Sequence, residues 1–185
     1  VWALNLLKDK EEKILIEDFY EKVLKPSNEE NRFLKNIPLE EEENKKELGI
    51  KKFLHNRSGL DALKALLYHP TCTINGFISG YTGKGSKTVL PREANAKLDF
   101  RLVPNQSSDE IFRKLVKHLK KHGFEDIEII KHGSTEPTRT PTNDPFVKLV
   151  AKTAKKVYNK KAVIYPRSAG SGPMHLFRNF LGYPV

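Results

Sequence analysis

Five short constellations in the 185-residue chain carry residue types that do chemistry, and each implies a different reaction. Residues 80–88 read Gly-Tyr-Thr-Gly-Lys-Gly-Ser-Lys-Thr, close to the loop in which Gly-Lys-Ser/Thr opens a helix and cradles phosphate. Here Ser86 intervenes before Lys87, and Val89, Leu90 and Pro91 lead on to a strand pattern, so no helix amides await a phosphate. A hairpin turn is expected instead. His118 and His122 stand four apart, a spacing at which one helix face can hold zinc. Lys117, Lys120 and Lys121 oppose a cation there and no acid is near in sequence as a third ligand, so a solvated helix face is expected. Ser171 in Gly170-Ser171-Gly172 lacks the outer glycines of a hydrolase elbow, because Ala169 and Pro173 occupy those places. Such a small-residue turn suits another use, backbone amides and a hydroxyl aimed at a carboxylate or oxyanion. Arg139, between Thr138 and Thr140, is a residue type that pairs with a substrate carboxylate. Asn75 interrupts a strand pattern just before Gly76, which fits a bulge or turn as well as a ligand contact.

The elements that must position these residues follow from periodicity and punctuation. Ala94, Ala96, Leu98, Phe100 and Leu102 alternate with polar residues, the mark of a strand with one buried face, and Pro104 ends it. Residues 71–81 form the strand before it. Lys13 to Ile16 and Ile127 to Ile130 are two further short strands. The acidic run Glu40 to Glu43 opens a helix to about Leu54. Ser58 is placed as the N-cap of a helix bearing Leu60, Leu63, Leu66 and Leu67, which Pro70 stops. Ser107 and Glu110 have the spacing of a capping box before a helix that Gly123 closes. Residues 26–38 read as irregular and 133–145 as a linker. Asp144 and Pro145 then start a lysine-faced helix, and Ala162 to Tyr165 form a strand ending at the turn around Ser171. The order from Lys13 to Ile130 is βαββαβ, an α+β ferredoxin-like arrangement with one antiparallel sheet and helices on one face. Residues 134–185 are partial α/β elements.

Composition narrows the class. One cysteine, Cys72, permits no internal disulfide and suits a reducing, cytoplasmic setting. No apolar run reaches the roughly 18 residues of a membrane span. The net charge is +10, yet residues 1–50 carry 13 acids against 9 bases, so the excess lies beyond them, mostly on the polar faces of two helices. A basic ferredoxin-like RNA-binding module is the alternative reading. It requires exposed aromatics on the central strands, and the strand 94–103 offers only Phe100, on its apolar side. The chain starts without Met, at Val1-Trp2-Ala3-Leu4, as if inside a helix, and an excised fragment is expected.

Gly76, Ser79, Gly80, Gly83, Gly85-Ser86-Lys87-Thr88-Val89-Leu90-Pro91 and Arg101-Leu102-Val103-Pro104-Asn105-Gln106 together resemble the lid domain of the co-catalytic zinc metallopeptidases. That family includes carnosinases, cytosolic nonspecific dipeptidase, carboxypeptidase G, aminoacylase and succinyl-diaminopimelate desuccinylase. Trp2-Ala3-Leu4, Glu136-Pro137 with Arg139-Thr140-Pro141, and Gly170-Ser171-Gly172-Pro173-Met174 extend the likeness over nearly the whole chain. The resemblance implies a homodimeric peptidase of peptides or acyl-amino acids, with two zinc ions in the catalytic domain and a lid that pairs with a second subunit. It divides the chain into 1–19, the end of a first catalytic segment, 20–133, the lid, and 134–185, the start of a second. It puts Gly170, Ser171 and Gly172 at the substrate's carboxylate end, Arg139 in a matching motif, and Asn75 where relatives carry a lid His. An Asn amide donates a hydrogen bond there but carries no proton. The implied zinc ligands and catalytic acids fall outside these 185 residues, so no catalytic residue and no bound metal is expected here. Neither nucleic acid nor membrane is an expected partner. A non-catalytic member of the family is the remaining alternative.

Overall fold

In the structure, a computed structural model, residues 1–185 are described throughout. The helices are α1 (Trp2–Asn5), α2 (Asn28–Leu34), α3 (Glu41–Leu48), α4 (Gly59–Tyr68), α5 (Ser108–Lys121), α6 (Pro145–Tyr158) and α7 (Met174–Leu181). With them is one antiparallel pair of strands, β1 (Thr71–Ser79) and β2 (Ala94–Arg101), so the class is α+β. The alternation in 94–102 puts Leu98, Phe100 and Leu102 against the core. Register places Ile74 opposite Leu98 and Gly76 opposite Lys97, which leaves Asn75 as an extra residue in a bulge. Gly76 suits the place beside it, because a Cβ there would stand a tight 3.3 Å from the Lys97 Cβ. The 80–93 connection is irregular, as expected of a hairpin loop rather than a phosphate cradle.

Two separate cores form. In the larger, Leu7, Ile14, Ile16 and Phe19 from the first segment pack with Cys72 of β1 and with Ile111, Leu115 and Leu119 of α5. In the smaller, Leu34 and Ile37 meet Leu67 and Tyr68 of α4. Gln106 ties strand end to first segment: its Oε1 accepts from Val103 N, and its Nε2 donates to the Phe19 carbonyl at 2.9 Å. Charges of the first segment meet opposite charges of α5, with Lys121 on Glu17, Lys114 on Glu21 and, in the reverse sense, Lys22 on Glu110. The lysine face of α5 is therefore partly paired rather than simply solvated.

Several expected elements differ. Residues 13–16 are not a strand: a single bridge joins Lys8 to Ile14, because the Asp9 carboxylate accepts from the Glu11 and Lys13 amides and folds the chain back on itself. Residues 127–130 and 162–165 likewise make no ladder; Ile129 still packs on the larger core. The helix α3 stops at Leu48 because Gly49 adopts a left-handed φ of 67°. The stretch read as irregular at 26–38 contains α2, opened by a capping box of Ser27 with Glu30.

The expected capping box at Ser107 does not form. Ser107 occupies the N-cap position, but the Glu136 carboxylate, 28 residues on, accepts from the Ser108 amide at 3.1 Å and from its hydroxyl. Ser58 is passed over in the same way, and Glu41 accepts from Gly59 N instead. Removing the Glu136 carboxylate (Glu136→Ala) is expected to cost about 1 kcal/mol. Ser107→Ala should cost almost nothing. Urea unfolding of the two variants checks this, and an equal loss at Ser107 would refute it.

Candidate functional site

The residues best placed for recognition gather beside the smaller core. Tyr68 ends α4 and is 2% exposed, because the apolar stripe of α4 turns its ring inward against Leu34 and Ile37. Arg167 follows the apolar run 162–165 and Pro166, and its guanidinium lies over the Tyr68 ring, 3.9 Å from the centroid. It is only 5% exposed, and its Nε, Nη1 and Nη2 are all buried without a hydrogen-bond partner. The Tyr68 hydroxyl is buried and unpartnered too. Leaving so many donors unsatisfied is costly, which makes this group the candidate site.

Glu30 and Arg139 complete the group. Glu30, 5% exposed on α2, has both carboxylate oxygens engaged. Its Oε2 accepts from Ser27 N at 2.7 Å, and its Oε1 forms a close ion pair with Arg139 Nη1. Burial works to raise the Glu30 carboxyl, but the Ser27 amide and the Arg139 charge outweigh it and hold it below its ordinary value. Burial first, then the like charge of Arg139, lowers Arg167. Burial, reinforced by Glu30, pushes the Tyr68 hydroxyl up to about 12. Two cations and one anion share the group, an excess of one positive charge.

The expected site residues fall in three places. Arg139 belongs to the charged group just described, with Thr140 buried beside it in sequence. Ser171 is exposed, and its hydroxyl accepts from Arg101 Nη1 of β2 at 2.5 Å. The Gly170 amide donates to Ser168 Oγ at 3.1 Å, and Gly172 is half-buried. Asn75 sits in the bulge of β1, exposed. Sequence reasoning missed Arg167, Tyr68 and Glu30. Arg167 stood directly before the singled-out turn, but its burial depends on a ring 99 residues away, which no local pattern displays.

His118 is corrected outright. Far from a solvated face, it is 5% exposed, and its Nε2 is 3.0 Å from the Leu6 carbonyl, to which it donates. His122 donates from Nδ1 to the His118 carbonyl. No group of three or more His, Cys, Asp or Glu side chains comes together anywhere in the chain. These residues do not fit a metal centre.

The model of the peptidase dimerisation domain matches residues 21–127. The Cys-Gly metallodipeptidase DUG1 of Candida albicans is 29% identical over 99% of this chain and 39% of its own length. The mouse Beta-Ala-His dipeptidase is 26% identical over 85% of this chain and 33% of its own. An M20 family metallo-carboxypeptidase from Sulfolobus solfataricus, Sso-CP2, superposes with a TM-score of 0.88 at 45% identity, covering 97% of this chain and 41% of that one. The chain thus spans about two-fifths or less of the relatives it matches.

Proposed function

The chain belongs to the peptidase dimerisation-domain family, and from that premise we propose that it supplies the lid and adjoining catalytic-domain segments of a metal-dependent dipeptidase or carboxypeptidase. Residues 20–133 form the lid in this reading, with 1–19 and 134–185 as parts of the catalytic domain. The exposed apolar residues of the last segment support it: Phe146, Leu149 and Val150 on α6 and Phe177, Phe180 and Leu181 on α7 are each between 44% and 77% exposed. The two zinc ions would be held by residues outside these 185. The protein works as a homodimer through the lid, in the cytoplasm, where the buried, unpaired Cys72 stays reduced.

The observation that carries the substrate class is Arg167, a buried guanidinium with no acceptor. A peptide's terminal carboxylate supplies a planar acceptor that matches its fork. Gly170, Ser171 and Gly172 follow three to five residues later and line the approach in this reading, with Asn75 donating from the lid of either subunit. Phe100 packs 6.0 Å from Phe19 in the larger core, so β2 displays no aromatic for RNA.

Two measurements on the chain test the reading. Sedimentation is expected to show a dimer, and zinc-supplemented assays on dipeptides are expected to show no hydrolysis. A strict monomer would refute the pairing role, and turnover would refute the division of labour between these residues and the rest of the enzyme.

A further inference from the structure

Arg139 has so far stood beside Arg167 as a second candidate for the substrate's carboxylate, yet the hydrogen bonds assign it other work. Its Nη1 is bound to Glu30 Oε1, and the other Glu30 oxygen is bound to the Ser27 amide. Each oxygen of the one buried acid in this group thus accepts one hydrogen bond, and neither bonds to Arg167, whose three nitrogens have no partner. Glu30 nonetheless stands on α2, whose Leu34 packs against Tyr68, the ring that carries the Arg167 guanidinium. A carboxylate so placed, if released, would turn to the unpaired guanidinium, because a buried charged acceptor and a buried charged donor left apart are both costly.

We propose that Arg139 is a positioning residue that holds the Glu30 carboxylate away from Arg167, keeping Arg167 open to a ligand carrying a single carboxylate. The proposal rests on reading Arg167 as the carboxylate anchor. Glu30 is then a latent internal competitor for the anchor. The charge count of the group also sets selectivity: two guanidinium groups less one carboxylate leave one positive charge, which one monoanion neutralises. A dianion in the same place would leave a buried excess negative charge.

The test titrates sodium acetate, and separately sodium sulfate, into the whole chain at fixed ionic strength, following arginine side-chain Nε–H signals by NMR. Far-UV circular dichroism checks that each variant is folded. Acetate should shift the Arg167 signal, and Arg167→Gln should abolish the response. Arg139→Gln, which leaves Arg167 intact, should weaken acetate at least about tenfold, since Glu30 then takes the anchor. The double variant Glu30→Gln/Arg139→Gln restores the single positive charge and should bind acetate within about threefold of the unchanged chain. Glu30→Gln alone, with two positive charges, should gain sulfate affinity relative to acetate. If acetate leaves the unchanged chain unmoved, or Arg167→Gln responds as it does, the anchor reading fails and the proposal falls with it. If Arg167→Gln abolishes binding while Arg139→Gln binds normally, or the folded double variant does not recover, the anchor stands and the positioning role is overturned.

Discussion

Alanine at Phe19 should destabilise the protein by about 3–5 kcal/mol, the range for emptying a phenylalanine site in a well-packed core. The ring is 1% exposed, lies edge-on to Tyr20 with centroids 5.4 Å apart, and is 6.0 Å from the Phe100 ring of β2. It shares the larger core with Leu7, Ile14 and Ile16 from the same segment and with three residues of α5. Its carbonyl is also where Gln106 anchors the end of the strand region. The void would therefore open at the point where the first segment, the sheet and α5 converge. A small domain has about 5–15 kcal/mol of stability in all, so the variant should be close to unfolding at ambient temperature. Urea denaturation followed by circular dichroism measures the change. Phe100→Ala, at a half-buried ring, should cost clearly less, and equal costs would show that the convergence at Phe19 has been misjudged.

Glu30→Ala should cost about 3 kcal/mol for a different reason, because it removes the only acid from the group and leaves Arg139 unpaired beside Arg167, which has no partner to begin with. It also strips α2 of its capping box. The same carboxylate makes stability depend on pH with a definite sign. Its folded pKa lies below the ordinary 4.5, so its contribution is fully present above about that pH and fades as pH falls through the lower folded value. Acid unfolding of the natural chain should steepen below pH 4.5, and Glu30→Gln should remove that part of the slope. A variant with an unchanged acid profile would show that Arg139 and Ser27 do not hold the charged form as described.

What the residues revealed in advance divides along a physical line. Period-two alternation disclosed β2, and the interruption at Asn75 before Gly76 is indeed a bulge, because both are backbone patterns written locally. The apolar spacing of α4, α5 and α6 was equally legible. The capping of α4 and α5 was not, since Ser58 and Ser107 have the right type and place, yet carboxylates from Glu41 and Glu136 reach the amides instead. A cap depends on which acceptor arrives, and distant acceptors leave no local mark. The true capping box, Ser27 with Glu30, was visible as Ser-x-x-Glu but lay in a stretch too polar to suggest a helix. His118 was misplaced because its lysine neighbours point outward while its own ring faces Leu6. The pairing of Arg167 with Tyr68 joins segments far apart in sequence, and only the folded chain could disclose it.

The segment after α5 has a mechanical consequence. Composition suggested a slack tether, three prolines among hydroxyl residues, but Glu136 is fastened to the start of α5, Arg139 to α2, and Thr140 and Thr142 are buried. A tether pinned at two points has little reach left. The stretch carrying Arg167 is thereby delivered to Tyr68 at high effective concentration, with far less searching than a free chain of that length would need. Any swing of α6 and α7 must then pivot beyond Thr142, over a short arm. The joint between the two halves is stiff where its amino acids look most pliable.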